Sequence, residues 1–148
     1  MGNGRTSRLY RNLVRDKKIA AQAGVSVIPG HPAALKDGDE AVAVAVGVGH
    51  SIAGADTVVT MKTPGAFQAG DAMTTAAFYH APAGALVYYV ASDYVPSSTQ
   101  HVIDLRYFFY SARLPVLEPR NHQDFYDFPR LAADLSRRIN SPVVILAN

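Results

Sequence analysis

The sequence predicts a mainly β, α+β fold: an antiparallel sandwich or barrel with a basic N-terminal helix or arm and one C-terminal helix. Three observations carry that expectation. Residues 41 to 48 alternate strictly, with Val42, Val44, Val46 and Val48 on one side and Ala41, Ala43, Ala45 and Gly47 on the other. Apolar runs follow turn residues again and again, at Asp37-Gly38-Asp39, Gly54-Ala55-Asp56, Gly70-Asp71 and Pro82-Ala83-Gly84. The intervals between these turns suit hairpins or short crossovers rather than helix-bearing βαβ units.

The elements follow in chain order. From Thr6 or Ser7, the latter a ready N-cap, to about Ala23, before Gly24, the pattern is helical. Leu9, Tyr10, Leu13 and Val14 give it a narrow apolar face, and Arg8, Arg11, Arg15 and Lys18 give it a basic stripe. Strands are expected at 25–28, 41–48, 57–63, 73–80, 85–91 and 101–110. The last of these places Ile103, Leu105, Tyr107 and Phe109 on one face and Arg106, Phe108 and Tyr110 on the other. Both faces are partly apolar, so the strand is expected to be covered on both sides or to form a subunit contact. A loop marked by Pro115, Pro119 and Asn121 leads to a helix near 129–139, opened by Pro129, capped by Asp127 and packed through Leu131, Leu135 and Ile139. Residues 142–147 read as a final paired strand.

Length and composition narrow the class. The 148 residues suit one core, read as an arm at 1–24 and a single β-rich domain at 25–148. An apolar fraction of 49% argues against disorder, and the absence of Cys removes thiolate catalysis, Cys-ligated zinc and disulfide stapling. No run is long and apolar enough for a membrane span, and the N-terminus lacks the apolar core of a signal peptide, so a cytoplasmic location is expected. Residues 1–18 carry six basic groups and one acid, a net +5, against −3 for the rest of the chain. Such a segment fits nucleic acid, a membrane surface, an acidic patch on a neighbouring subunit or a solvated helix face.

Catalytic motifs are scarce. There is no Gly-x-Ser-x-Gly elbow, no His-Glu-x-x-His and no Walker loop. The glycines between Gly47 and Gly54 read as a hairpin connection, because Ile52 stands where a dinucleotide loop needs its third glycine. Among the five histidines, the one local cluster is His122, Asp124 and Asp127, three candidate ligands for a hard or borderline cation, with His101 as a more distant companion. The competing reading makes Asp127 a helix cap and Asp124 a charge at the helix start. No cofactor is expected. Adjacent aromatics such as Phe78-Tyr79, Tyr88-Tyr89 and Tyr107-Phe108-Phe109-Tyr110 put rings on opposite strand faces, which favours a protein interface.

Two segments resemble known families. Residues 2–26, GNGRTSRLYRNLVRDKKIAAQAGVS, resemble a helix-to-strand segment of the pitrilysin-like (insulinase) zinc peptidases and their processing-peptidase relatives. Val14 and Ala21 stand where that family's substrate-side Arg and Tyr would fall, and its zinc motif is absent, so the resemblance implies no peptidase activity. Residues 36–75 are similar in style to small β-rich head decoration and cement proteins of tailed phages, which clamp capsid subunits and often use an N-terminal arm.

The expected function is therefore a non-enzymatic structural protein of a symmetric assembly, a viral or phage particle component of the capsid, decoration or tail type. Its partners would be further copies of itself and other subunits. Contacts would run through Arg5, Arg8, Arg11, Arg15 and Lys18 of the arm and through Arg106, Phe108 and Tyr110. One alternative is a small metal- or ligand-binding enzyme with its site near His122, Asp124 and Asp127. Another is a nucleic-acid-binding module led by the basic helix.

Overall fold

In the computed structural model the described residues are 25–27, 40–79, 83–92 and 102–148. The segments carrying Arg5, Arg8, Arg11, Arg15, Lys18 and His101 lie outside them, so the arm and its contacts are not part of the architecture below.

The described residues form five strands and five helices. The strands are β1 (Val25–Val27), β2 (Thr57–Lys62), β3 (Leu86–Ala91), β4 (Val116–Leu117) and β5 (Val143–Ala147), and the helices are α1 (Glu40–Ile52), α2 (Thr63–Gln68), α3 (Gly70–Tyr79), α4 (Arg106–Ser111) and α5 (His122–Ile139). One sheet runs in the order β1-β2-β3-β5-β4. The pairs β2–β3, β3–β5 and β5–β4 are parallel, and β1 joins the β2 edge antiparallel. Helices cover both faces, so this is an α/β fold. The expected antiparallel sandwich or barrel is corrected: the strands near 57–62, 86–91 and 143–147 are present, but helices connect them.

The error starts at α1. Alternating Val and Ala satisfy a two-residue period, yet the residues that become buried are Ala43, Val44, Gly47 and Ser51, at helical spacing. Ala43, Gly47 and Ser51 make a stripe of small residues that lets the helix backbone lie almost on the sheet. The strand expected at 73–80 is likewise helical, with Ala69, Met73 and Ala76 buried at i, i+4 and i+7. Leu105, Phe109 and Ala112 repeat that spacing across α4, which replaces the strand expected at 101–110.

The C-terminal helix begins at His122 rather than Pro129, and Asn121 caps it instead of Asp127: the Asp124 N–H donates to Asn121 Oδ1 at 2.9 Å. Its buried face is Ala132, Ala133 and Ser136, while Leu131 and Ile139 are exposed. Asn140 ends it in the left-handed conformation, with φ 51°.

Two apolar layers flank the sheet. Val59 and Met61 of β2, Leu86, Tyr88 and Val90 of β3, and Val144 and Leu146 of β5 pack under α1 to α4. Val58, Val87, Val143 and Ile145 point the other way, towards Ala132 and Ala133 of α5. The central strands β3 and β5 are covered on both faces, which explains their continuous apolar sequences, Leu86-Val87-Tyr88-Tyr89-Val90-Ala91 and Val143-Val144-Ile145-Leu146-Ala147. No helix among the described residues is long and apolar enough to cross a membrane.

Candidate functional site at the carboxyl edge of the sheet

Strands β2 and β3 pair in register from Thr57↔Leu86 to Lys62↔Ala91, so their carboxyl ends stand level. Thr63 opens α2 immediately after β2, with Pro64 in the first turn, and Ser92 follows β3. Both residues are buried, 1% and 6% exposed. Among the described residues neither hydroxyl has a hydrogen-bond partner. A buried hydroxyl left unpaired costs about 1–3 kcal/mol, so two of them at the ends of neighbouring strands call for a reason.

Glu40 approaches the same edge from above. Helix α1 runs back along β2, from Gly47 over Val59 to Glu40 over Gly65. A Cβ built on Gly65 would stand 2.6 Å from Glu40 Cγ and 2.9 Å from its Oε1. The side chain of Glu40 thus lies against the first turn of α2, half-buried, and a side chain at position 65 would push it aside. Open α/β sheets hold their ligands outside the carboxyl ends of the strands. Here that position carries the carboxylate of Glu40, lying against Gly65, and two hydroxyls without a partner among the described residues. Such a set can exchange a proton with a bound molecule and hydrogen-bond its polar atoms.

A third unpaired hydroxyl, that of Tyr88, lies deeper on the same face of β3. Burial pushes the pKa of this phenol far up.

The opposite, amino edge is closed by hydrogen bonds. Ser51 Oγ donates to the Gly84 carbonyl at 2.6 Å, and the Gly84 N–H donates to the Ser51 carbonyl at 2.8 Å. A Cβ on Gly84 would stand 2.5 Å from the Ala55 carbonyl oxygen, so glycine is required there. Asp56 accepts from the Ala85 N–H at 2.8 Å and from the Arg137 guanidinium, and the Leu86 N–H donates to Ser136 Oγ at 3.0 Å. These bonds tie the ends of α1 and α5 to the start of β3.

The residues singled out from the sequence lie elsewhere. Arg106 and Tyr110, four apart on α4, lie on one face, whereas Phe108, two from each, points in a different direction. The Arg106 guanidinium grips the carboxylate of Asp104 through Nε and Nη2, at 2.7 to 3.0 Å, which lowers the Asp104 pKa. Phe108 packs between Phe67 and Phe109, with ring centroids 5.7 and 5.2 Å away, and Tyr110 is 84% exposed.

His122, Asp124 and Asp127 all fall in the first turns of α5. Asp124 accepts from the Arg120 N–H at 2.9 Å and from Arg120 Nε at 3.2 Å, and Asp127 accepts from Gln123 Nε2 at 2.9 Å. Among the described residues no group of three or more His, Cys, Asp or Glu is placed to hold a metal ion.

Glu40, Thr63 and Ser92 escaped the sequence reading. The sequence marks two of the positions, an acid opening an apolar segment at Glu40 and the strand-to-helix junction Thr63-Pro64-Gly65, but nothing in it marks the unpaired hydroxyls of Thr63 and Ser92.

No protein-family model matches the chain. Over 107 residues, 72% of its length, it is 36% identical to the indolepyruvate oxidoreductase subunit IorA of Archaeoglobus fulgidus, and it spans 17% of that relative's length. Among solved structures, a transketolase variant from Pichia stipitis aligns with a TM-score of 0.54 at 11% identity, covering 73% of this chain and 18% of that one. The second likeness concerns the fold alone and agrees with the helix-covered parallel sheet. Together they overturn the resemblance to phage decoration proteins and to zinc peptidases. The first likeness also overturns the expectation of a non-enzymatic virion protein, since the similar protein is a subunit of an oxidoreductase.

Proposed function

We propose that the chain forms a catalytic α/β unit of an oxidoreductase that acts on a 2-oxo acid, and that its reaction takes place at the carboxyl ends of β2 and β3. The observation that carries this reading is the 36% identity to an indolepyruvate oxidoreductase subunit. Indolepyruvate is a 2-oxo acid with an aromatic side chain, and chemistry at its carbonyl needs a group that can give and take protons. Glu40, pinned on Gly65 at the sheet edge, supplies such a group.

Two variants test the reading in the assembled enzyme, with indole-3-pyruvate as substrate and reduction of a viologen dye as readout. Glu40→Gln keeps the shape and removes the proton-exchanging carboxylate, and turnover should fall at least 100-fold, within the usual range for acid–base groups. Gly65→Ala should displace the Glu40 side chain and lower turnover while the sheet stays folded. Wild-type protein that turns over no 2-oxo acid defeats the proposal.

We further propose that the unit works beside a second copy of itself, through the exposed rings of Tyr107 and Tyr110 on α4, 78% and 84% exposed. Light scattering on a sizing column, before and after Tyr107→Ser with Tyr110→Ser, tests this contact. A dimer that dissociates on substitution supports it, and a wild-type monomer refutes it.

A further inference from the structure

We infer that Thr63 and Ser92 form a paired hydroxyl site that binds the head of a 2-oxo acid, one hydroxyl donating to the keto oxygen and the other to a carboxylate oxygen. This inference rests on the functional reading above and assigns the residues that would select the substrate class.

The geometry begins with the register. Lys62 and Ala91 are the last paired residues of β2 and β3, so Thr63 and Ser92 are the first residues beyond the sheet on neighbouring strands. Counting by two from Met61 and from Val90 puts both on the side of the sheet that α1 covers, the side from which Glu40 reaches the edge. Their oxygens are shielded from solvent and have no hydrogen-bond partner among the described residues. Folded proteins rarely leave such atoms unpaired, and the exceptions gather where a ligand completes the bonding.

The ligand chemistry follows from the donors. Each hydroxyl offers one O–H, and the two residues follow paired positions on neighbouring strands. A 2-oxo acid presents two acceptor oxygens on adjacent carbons, one of them charged, and bonds to charged acceptors are the stronger kind. The same site offers less to a plain carboxylic acid, which lacks the keto oxygen.

The test uses Thr63→Val, which keeps the shape and removes the hydroxyl, Ser92→Ala, and Thr63→Ser as the conservative control. Steady-state kinetics on indole-3-pyruvate with the assembled enzyme should show KM raised about tenfold for each of the first two, equivalent to about 1.4 kcal/mol apiece. Thr63→Ser should stay within about twofold of wild type. Without substrate, the Tm of Thr63→Val and Ser92→Ala should be unchanged or higher, because an unpaired buried hydroxyl has been removed.

Wild-type KM in both variants overturns the inference while leaving the functional reading standing. A Tm lowered in both with KM unchanged also overturns it, because the hydroxyls then serve the fold through a bound water. Wild-type enzyme inactive on every 2-oxo acid fails the functional reading itself and this inference with it.

Discussion

The backbone of α1 lies so near β2 that a Cβ at Gly47 would stand 2.6 Å from Cγ2 of Val59. Val59 is fully buried and β-branched, so it has little freedom to yield. Gly47→Ala should therefore destabilise the domain by about 1–3 kcal/mol through overpacking, even though alanine suits a helix better by about 1 kcal/mol. Gly49, two residues on, faces open space, and Gly49→Ala should stabilise by roughly that helix-propensity gain. Urea unfolding of the two variants checks the opposite signs.

Tyr88 is a buried phenol whose oxygen has no partner among the described residues. Tyr88→Phe should be neutral or stabilising by about 1 kcal/mol, because the desolvated hydroxyl gives no hydrogen bond in return for its burial. Burial raises the folded-state pKa above the unfolded value of about 10, so stability is full below pH 10 and declines as pH rises beyond it. The phenylalanine variant should lose stability less steeply above pH 10, which thermal melts across that range would show.

Asp124 is held below the ordinary carboxylate range, first by the Arg120 N–H and, with burial opposing, by the Arg120 side chain. Asp104 is lowered in the same sense by Arg106. Each contribution is present above the unfolded value of about 3.9 and is lost as pH falls through the folded value. The Tm gap between wild type and Asp124→Asn should be widest near neutrality and should close below about pH 4. A gap independent of pH contradicts the assignment.

Asp56 does two jobs at the amino edge, accepting from the Ala85 N–H and from Arg137. The ion pair is more than a third exposed on both sides, so by itself it is worth about 0–1 kcal/mol. The bond to the backbone N–H is charge-assisted and shields the start of β3, so Asp56→Ala should cost about 2 kcal/mol and Arg137→Ala about half of that or less. Equal losses in denaturant unfolding would show that the ion pair carries the whole effect.

How far the sequence revealed this fold depends on what covers each element. Strands β2, β3 and β5 lie inside the sheet with helices on its two faces, and their β-branched runs between turns identify them. Helix α1 is the opposite case. Its valines suit a strand, and its defining residues, Ala43, Gly47 and Ser51, are small because the sheet is close, a fact that belongs to the tertiary structure. Once α1 is read as a strand, the parallel order of β2, β3 and β5 disappears, because parallel neighbours need helical crossovers. Glu40 was hidden by the same error: ahead of a strand it is a turn residue, whereas at the start of α1 it lies on Gly65. Thr63 and Ser92 were illegible for another reason, since an unpaired hydroxyl is known only when everything around it is in place.

The most direct measurement is turnover of indole-3-pyruvate by the assembled enzyme carrying Glu40→Gln, beside wild type and with Tm recorded for both. The account expects a loss of at least 100-fold in kcat with Tm within a few degrees of wild type. Turnover equal to wild type would contradict it and move the chemistry away from the carboxyl edge of β2 and β3.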